Sequence, residues 1–423
     1  MIFLTYEFVG FALVFFSLYY LIHNPTLRMA ILVIGGLVFQ FHYGGWVSVV
    51  PVLVLAVVTF LAGRIGGRRM VTGAIALCVV TLVFYKYTAF IVLDSIGTLL
   101  PGFGSALRNT VQSVLPATIP LGISFFTFEF VHYLTDVRRG DRPIIRLRDF
   151  LTFALFWPTM VAGPIKRYQQ FLPALHEGLA RPSAQDATIG LMRIAIGLAK
   201  KWAADNLTAW IEYIEPDFLG QDLPWRWLFV AGLAARILLD FSGYSDMAIG
   251  FARMMGITVP ENFNWPYLAR SPIEFWQRWH ISLSLWIRDY IYIPLGGSRL
   301  GLPRRVVNAL TAMALCGLWH GAAWNFAVWG VYHGVGLGLA ALMQGRISRL
   351  RTASIGQIPQ PASVGAAAAN SAFTLPPVHV CLLTVTIDMI CWAGTMVFVG
   401  IGWLLFFYPL EKALPMAVHL FVQ

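Results

Sequence analysis

Two histidines, each directly preceded by a tryptophan, are the side chains best suited to chemistry in this sequence. His280 follows Trp279, and His320 follows Trp319. The apolar stretch 308–324 around His320 contains no Asp, Glu, Lys or Arg. An ionisable side chain is costly in lipid, so in such a stretch it faces a cavity, a partner or a reaction. Imidazole accepts and returns protons near neutral pH, so we predict proton transfer at membrane depth.

The composition is that of a membrane protein with many spans. Of 423 residues, 58% are hydrophobic and 12% are charged, whereas soluble domains have about 25% charged residues. The mean hydropathy is +0.69. The apolar content is enough for roughly ten spans of about 20 residues each. Because no polar stretch is long enough for a soluble module, we predict a single membrane-embedded domain over residues 1–423.

The net charge of +10 reflects membrane orientation rather than nucleic-acid binding. The basic residues cluster in short loops between apolar runs, and such loops are retained in the cytoplasm. One membrane orientation, with an extracytoplasmic amino terminus, places all the basic positions of the first part of the chain in the cytoplasm: Arg28 and the loops 64–69 and 138–148. The four cysteines show no metal-binding spacing, so we predict no metal site.

The apolar runs predict an all-α arrangement. A turn at Gly44 and Gly45 separates the second and third spans, and a loop at 96–107 is expected on the extracytoplasmic side. The run 150–163 is too short to cross comfortably and is interpreted as re-entrant. Residues 345–377 are interpreted as a flexible linker. The predicted spans and helices are 6–22, 29–46, 48–63, 70–86, 117–137, 187–203, 227–251, two within 307–343, and 378–408.

The two histidines lie on two different predicted helices. Ser271 and Glu274 form a capping-box pattern for a helix that places His280 on one face and is too polar to face lipid. On the second helix, Gly317 and Gly321 are spaced so that a neighbouring helix can approach closely. His333 follows His320 by thirteen residues, about 220° away on a continuous helix, and is therefore interpreted as structural.

Several longer motifs resemble the membrane-bound O-acyltransferase family. Within it, the sequence is most similar to the bacterial branch that modifies exported polysaccharides, of the alginate O-acetylation and teichoic-acid D-alanylation types. The resemblance is specific from about 120 to 338. The motifs are PLGISFFTF at 120–128, AGPIKR at 162–167, DFSGYSD at 240–246, PENFN at 260–264, EFWQRWHISLS at 274–284, RDYIYIPLGG at 288–297 and WHG at 319–321.

This resemblance implies a bundle of roughly ten spans, with re-entrant and interfacial helices around a central tunnel. His320 matches the family's principal histidine and is expected to be the catalytic base. His280 matches a second position, where it either holds the donor carbonyl or only ties two helices together. The candidate substrate-binding residues are Trp276, Arg278, Trp279, Ser284, Asp289, Trp319 and Asn325.

The implied activity is transfer of an acetyl or other short acyl group from a cytoplasmic thioester toward an extracytoplasmic polysaccharide. The donor would be acetyl-CoA or another acyl thioester, with no bound cofactor. Lys166 and Arg167 either meet the donor's phosphates or orient the chain. Expected partners are the lipid bilayer, an exported acyl-accepting protein or polysaccharide, and an acyl carrier protein. The expected location is the bacterial inner membrane.

Three alternatives remain open from the sequence. The stretch 157–168 also resembles the D-alanyl-transferring branch, so the acyl group is not fixed. A secondary transporter would use the histidines as proton relays, but it predicts matching broken segments in the two halves, and 271–297 has no counterpart in the first half. An inactive scaffold is opposed by the presence of both histidines.

Overall fold

The computed structural model describes residues 2–116, 118–355 and 378–422. Within these residues the regular elements are all helical, which confirms the predicted all-α class. The first part of the chain contains α1 Tyr6–Leu21, α2 Pro25–Ile65, α3 Arg68–Ala89, α4 Gly97–Leu99, α5 Pro101–Val114, α6 Ile123–Arg139, α7 Leu147–Ala154, α8 Tyr168–Ala180 and α9 Ala184–Ile214. The remainder contains α10 Leu223–Met254, α11 Pro272–Arg278, α12 Ile281–Ile287, α13 Leu302–His320, α14 Trp324–Ile355, α15 Val378–Phe407 and α16 Leu410–Val418.

Five helices in the described residues are long and apolar enough to cross a bilayer. They are Pro25–Ile65, Arg68–Leu99, Leu223–Met254, Trp324–Gln344 and Thr384–Phe407. The shorter apolar helix α1 precedes them. The chain is therefore a multi-pass membrane protein, while the count of ten spans and the central tunnel stay predictions.

Packing divides the chain into two compact units. The first contains Met1–Phe218, Gly232–Asn262 and Gly321–Ala323, and the second contains Leu219–Ala231, Phe263–His320 and Trp324–Gln423. The prediction of a single domain over residues 1–423 is not tested by this division and stays a prediction.

The first unit is built around the fully buried indole of Trp157. Its ring centroid lies 5.4 Å from that of Phe15, 5.6 Å from Phe8 and 5.3 Å from Phe251. Aromatic pairs in edge and tilted arrangements at these distances gain energy beyond their buried area. They hold α1 and α10 against the non-helical segment that follows α7.

The predicted turn between the second and third spans is a break inside α2. Gly45 has φ 61° and ψ −170°, a backbone conformation that favours glycine. The run 150–163 contains only the end of the short helix α7 and a buried non-helical segment. Its short length agrees with the sequence, and its depth in the membrane stays a prediction.

Three predicted boundaries were wrong. Most of 96–107 is helical, in α4 and α5, which are separated by the non-helical residue Leu100. α5 packs back against α4, since a Cβ atom on Gly104 would lie 2.5 Å from the Cα of Gly97. The span expected from 117 begins at Ile123, since Gly122 adopts a left-handed conformation (φ 71°) immediately before α6. Residues 345–355 belong to α14 rather than to a linker, and the rest of that predicted linker, 356–377, lies outside the described residues.

In the second unit, α13 and α14 pack with unusually close backbones. A Cβ atom on Gly334 would lie 2.8 Å from the Cα of Leu310, and one on Gly338 would lie 3.1 Å from Cγ1 of Val306. α15 joins this pair through the Tyr332 hydroxyl, which donates to the Phe398 carbonyl at 2.8 Å. The hairpin and α15 together form the frame on which the histidines are placed.

Candidate active site

His280 lies at a break between two short helices, not within one continuous helix as predicted. α11 ends at Arg278, and His280 has φ 42° and ψ 56°. Only His280 and Trp265 have positive φ among the non-glycine residues described. Such a conformation is costly and is retained where the surroundings enforce it, often at functional sites.

The break is held by contacts of its neighbours. The Trp279 ring stacks on Phe275 at 5.6 Å and packs on Trp403 at 4.9 Å. The Ser284 hydroxyl donates to the Trp279 carbonyl at 3.1 Å. This hydrogen bond satisfies a carbonyl oxygen at the end of α11, where the helix supplies no further amide donor. The sequence pattern missed the break because a 3.6-residue periodicity does not reveal where tertiary packing interrupts a helix.

Only one of the two hydrogen bonds of the predicted Ser271–Glu274 capping box is present at the start of α11. The Ser271 hydroxyl caps the Glu274 amide at 3.1 Å, as expected. The Glu274 carboxylate accepts instead from the Arg270 amide at 2.8 Å and pairs with Arg278 at 2.8 Å. The reciprocal arm of the capping box is therefore shifted by one residue.

His280 is 1% exposed and lies outside the candidate spans. Burial lowers the pKa of His280 well below its usual value, and the nearby His320 lowers it further. The imidazole is therefore neutral near pH 7, and a neutral imidazole has one nitrogen able to accept a hydrogen bond or proton.

His320 is the last residue of α13 and is half-buried among aromatic rings. Its ring centroid lies 4.8 Å from that of Trp319, 5.1 Å from Trp329 and 5.2 Å from Phe406. The rings meet His320 edge to face, which restricts its orientation. A base must be held in a fixed orientation to remove a proton efficiently, so this position suits the predicted role.

Tryptophan rings link His280, His320 and His333 in one aromatic cluster of the second unit. Trp319 contacts both His280, at 6.2 Å, and His320. Trp329 contacts both His320 and His333, the latter at 4.7 Å. The continuous helix assumed for His333 does not exist, because α13 ends at His320 and α14 begins at Trp324. The angular argument that separated His333 from His320 was therefore wrong.

Sequence reasoning missed three aromatic residues of this cluster. Trp329, Trp403 and Phe406 are the rings that surround the predicted residues. A usable signal for Trp329 was its spacing of four residues before His333, which places both on one face of α14. Trp403 and Phe406 come from α15, far along the chain, and no local pattern connects them to His320.

Two other predicted substrate-binding residues make contacts within the second unit. Trp276 donates its indole N–H to Nδ1 of His333 at 3.2 Å, so it is tied to the aromatic cluster. Arg278 is held by the Glu274 ion pair and by a hydrogen bond to the Asn264 carbonyl at 3.3 Å.

Asp289 and Asn325 are engaged in contacts of their own. Asp289 pairs with its neighbour Arg288 at 2.7 Å. The Asn325 amide donates to the carbonyls of Leu405 and Phe406 at 3.4 and 3.3 Å, which joins the start of α14 to the end of α15. These hydrogen bonds stabilise the contact between the two helices, and substrate binding by Asn325 stays a prediction.

Lys166 is not accessible to a phosphate group of the acyl donor. It is 1% exposed, and its ammonium group forms a 2.5 Å ion pair with buried Glu129. Phosphate binding by Lys166 was therefore a wrong prediction, because its charge is neutralised inside the first unit, whereas its contribution to membrane orientation stays a prediction. Arg193 and Lys200 likewise pair with Asp246, each at 2.6 Å.

Comparison with known proteins identifies the family. The sequence model of the membrane-bound O-acyltransferase family, MBOAT, matches residues 70–385. This chain belongs to the membrane-bound O-acyltransferase family.

The names of three relatives of this MBOAT chain state transfer of an acetyl or D-alanyl group, or acetylation of alginate. It is 37% identical over 345 residues to a "probable alginate O-acetylase" of Pseudomonas aeruginosa, covering 77% of this chain and 63% of that protein. It is 32% identical to a "peptidoglycan O-acetyltransferase" of Helicobacter pylori, and the match covers 78% of this chain and 67% of that protein. It is 30% identical to a "teichoic acid D-alanyltransferase" of Bacillus subtilis, and the match covers 57% of this chain and 65% of that protein. The chain spans less than two thirds of the Pseudomonas relative.

Proposed function

We propose that this MBOAT chain transfers an acetyl or other short acyl group from a cytoplasmic thioester toward an extracytoplasmic polysaccharide. The observation that carries the proposal is the ring cluster of His280, Trp319 and His320 in a chain of this family. The names of the Pseudomonas and Helicobacter relatives favour acetyl as the group and a polysaccharide as the acceptor.

His320 is the general base of the proposed reaction. Its imidazole takes the proton of an acceptor hydroxyl as the hydroxyl oxygen attacks the thioester carbonyl carbon. The carbon–sulfur bond then breaks, and the imidazolium returns the proton to the leaving thiolate. A positioned base of this kind contributes ~10²–10⁴-fold to the rate. Neutral His280 orients the donor carbonyl or stabilises its developing negative charge.

The transfer requires donor and acceptor to reach one chamber from opposite faces of the membrane. We propose that His280 and His320 both line this chamber and that the amino terminus is extracytoplasmic, in the bacterial inner membrane. An exported protein would complete the transfer, and an acyl carrier protein would deliver the group when coenzyme A does not. No bound cofactor is required by these steps.

D-alanyl transfer is the second candidate. The Bacillus relative supports it, because its name states transfer of D-alanine to teichoic acid. The two candidates use the same base and the same thioester chemistry, and they differ only in the group that is moved.

The test measures ester-linked groups on the exported polymer of cells in which this chain is the only such enzyme. Mild base releases acetate and D-alanine together, so one hydrolysate quantifies both. His320→Ala should lower the ester content by ~10²-fold or more. His23→Ala, which changes an exposed histidine, should leave it unchanged.

Membrane abundance of each variant is measured in parallel, together with melting of the purified protein. Near-normal ester content in a stable His320→Ala protein would exclude His320 as the base. Release of D-alanine without acetate would replace the acetyl proposal with the second candidate.

A further inference from the structure

A crevice of about 330 Å³ lies in the second unit beside the broken helix. α11, α12, α13, α14 and the π-helical turn Arg288–Tyr292 line it. Its walls are mainly apolar, with Ile281, Leu285, Met313 and Leu337 among them. Trp276 and Ser284, two candidate substrate-binding residues, also line it, whereas neither His280 nor His320 does. A thioester carbonyl must come within about 3–3.5 Å of the reacting group, so these walls do not present a donor's acyl end to either histidine.

The crevice lies at the end of a membrane span. Leu337, Gly338 and Ala341 belong to the last turns of the apolar run of α14, which ends at Met343 before Gln344 and Arg346. Gly338 packs against Val306, so the start of α13 is at the same level as these turns. Apolar lipid tails meet polar headgroups where the apolar run of a spanning helix ends.

Two arginines give the crevice a positive rim. Arg288 and Arg305 both line it. Arg288 is paired with Asp289, whereas the guanidinium of Arg305 has no hydrogen bond or ion pair to any residue described. The segment 288–305 contains four arginines, at 288, 299, 304 and 305, and a single acidic residue. Guanidinium groups bind phosphate oxygens with charge-assisted hydrogen bonds, so the rim is complementary to a phosphate.

We propose that this crevice binds an anionic phospholipid. An acyl chain lies along Ile281, Leu285 and Leu337, and the headgroup phosphate meets Arg305 and Arg288. Exposed side chains beside the crevice on α14 support a lipid rather than a soluble phosphate compound. Leu339 and Leu342 are 54% and 48% exposed, an arrangement suited to lipid contact. The inference does not depend on the proposed acyl transfer.

The first test compares two lipids on the purified protein. The chain is exchanged into detergent with increasing dioleoyl-phosphatidylglycerol or dioleoyl-phosphatidylcholine, and bound lipids are counted by native mass spectrometry. We expect tighter retention of the anionic lipid. Arg305→Gln should weaken that retention roughly fivefold, because one arginine near a membrane surface contributes about that factor. Arg304→Gln, a neighbour that does not line the crevice, is the matched control and should weaken it less.

The second test fills the crevice without changing charge. Ala341→Phe places a ring inside it, whereas Ala340→Phe changes the adjacent, non-lining alanine and is the control. The first variant should lose the tightly bound lipid, and the second should keep it. Melting temperature without added lipid confirms that each variant is folded.

Three outcomes would overturn the proposal. The first is equal retention of the two lipids. The second is unchanged phosphatidylglycerol binding in folded Arg305→Gln and Ala341→Phe proteins. The third is displacement of phosphatidylglycerol by an equal concentration of coenzyme A whose own binding is lost in Arg305→Gln, which would assign the crevice to a soluble phosphate ligand.

Discussion

Gly317 on α13 lies so close to Gly330 on α14 that a Cβ atom on Gly317 would lie 2.9 Å from the Cα of Gly330. The same Cβ would overlap the carbonyl oxygen of Phe326. The two helices therefore meet backbone to backbone, one turn before His320. The placement of the expected base depends on this contact, because no side chain separates the helices there.

Gly317→Ala should displace α13 from α14 and lower both stability and acyl transfer. A methyl group cannot fit against the Phe326 carbonyl, and overpacking of this kind costs about 1–3 kcal/mol. The measurement is the melting temperature and the polymer ester content of the same variant. Gly394→Ala on α15 is the matched control, since a Cβ there meets nothing within 4 Å. A Gly317→Ala protein as stable and active as the control would contradict the close contact.

His280→Ala should reduce acyl transfer less than His320→Ala does. In the proposed mechanism His280 orients the donor and His320 moves the proton, so only the second loss removes the base. Kinetics at varied donor concentration should show His280→Ala raising KM as well as lowering kcat. His280→Asn is the companion variant, because asparagine tolerates the left-handed backbone of this position. A larger loss in a folded His280→Asn protein than in His320→Ala would reverse the two roles.

Stability should fall as pH drops below about 6.5, and His280 should account for part of the fall. Burial lowers the pKa of His280 well below its usual value. Between the unfolded and the folded pKa, the unfolded chain binds a proton that the native protein does not. The native state is therefore penalised in this window by up to about 1.4 kcal/mol per pH unit, with no penalty above it.

The measurement is the melting temperature from pH 7.5 to 5.5 for the native sequence and His280→Asn. The variant should show the shallower slope, since its side chain does not titrate. Identical slopes would show that His280 is not held neutral by burial.

Asn325→Ala should destabilise the protein without altering donor or acceptor KM. Its amide joins α14 to two carbonyls at the end of α15, and loss of such hydrogen bonds costs about 1 kcal/mol. Asn206→Ala removes an exposed amide bonded within its own helix and should cost less. A raised KM with unchanged melting would support the sequence prediction that Asn325 binds substrate.

Cysteines introduced at 68 and 139 should react with a membrane-impermeant thiol reagent only after the cells are opened. Residue 68 begins α3 and residue 139 ends α6, each in a basic stretch that is expected in the cytoplasm. A cysteine at 6, in place of exposed Tyr6, should react in intact cells. Labelling of 68 or 139 in intact cells would reverse the orientation.

The sequence alone determined the membrane class, the helical content and the family. These follow from summed properties such as the apolar fraction, and from motifs whose meaning does not depend on distant residues. The cap at Ser271 and the presence of two helices within 307–343 were also predictable, because short-range hydrogen bonding and small residues decide them.

Only the tertiary structure decided the surroundings of the two histidines. The break at His280 exists because Trp279 packs on Phe275 and on Trp403, which lies 124 residues further along the chain. From the sequence the charge of Lys166 is available to a ligand, whereas in the structure Glu129 pairs with it. Periodicity reports which residues share a face of one helix. It does not report which distant side chain neutralises a charge or interrupts a helix, because those contacts form only when separate elements pack.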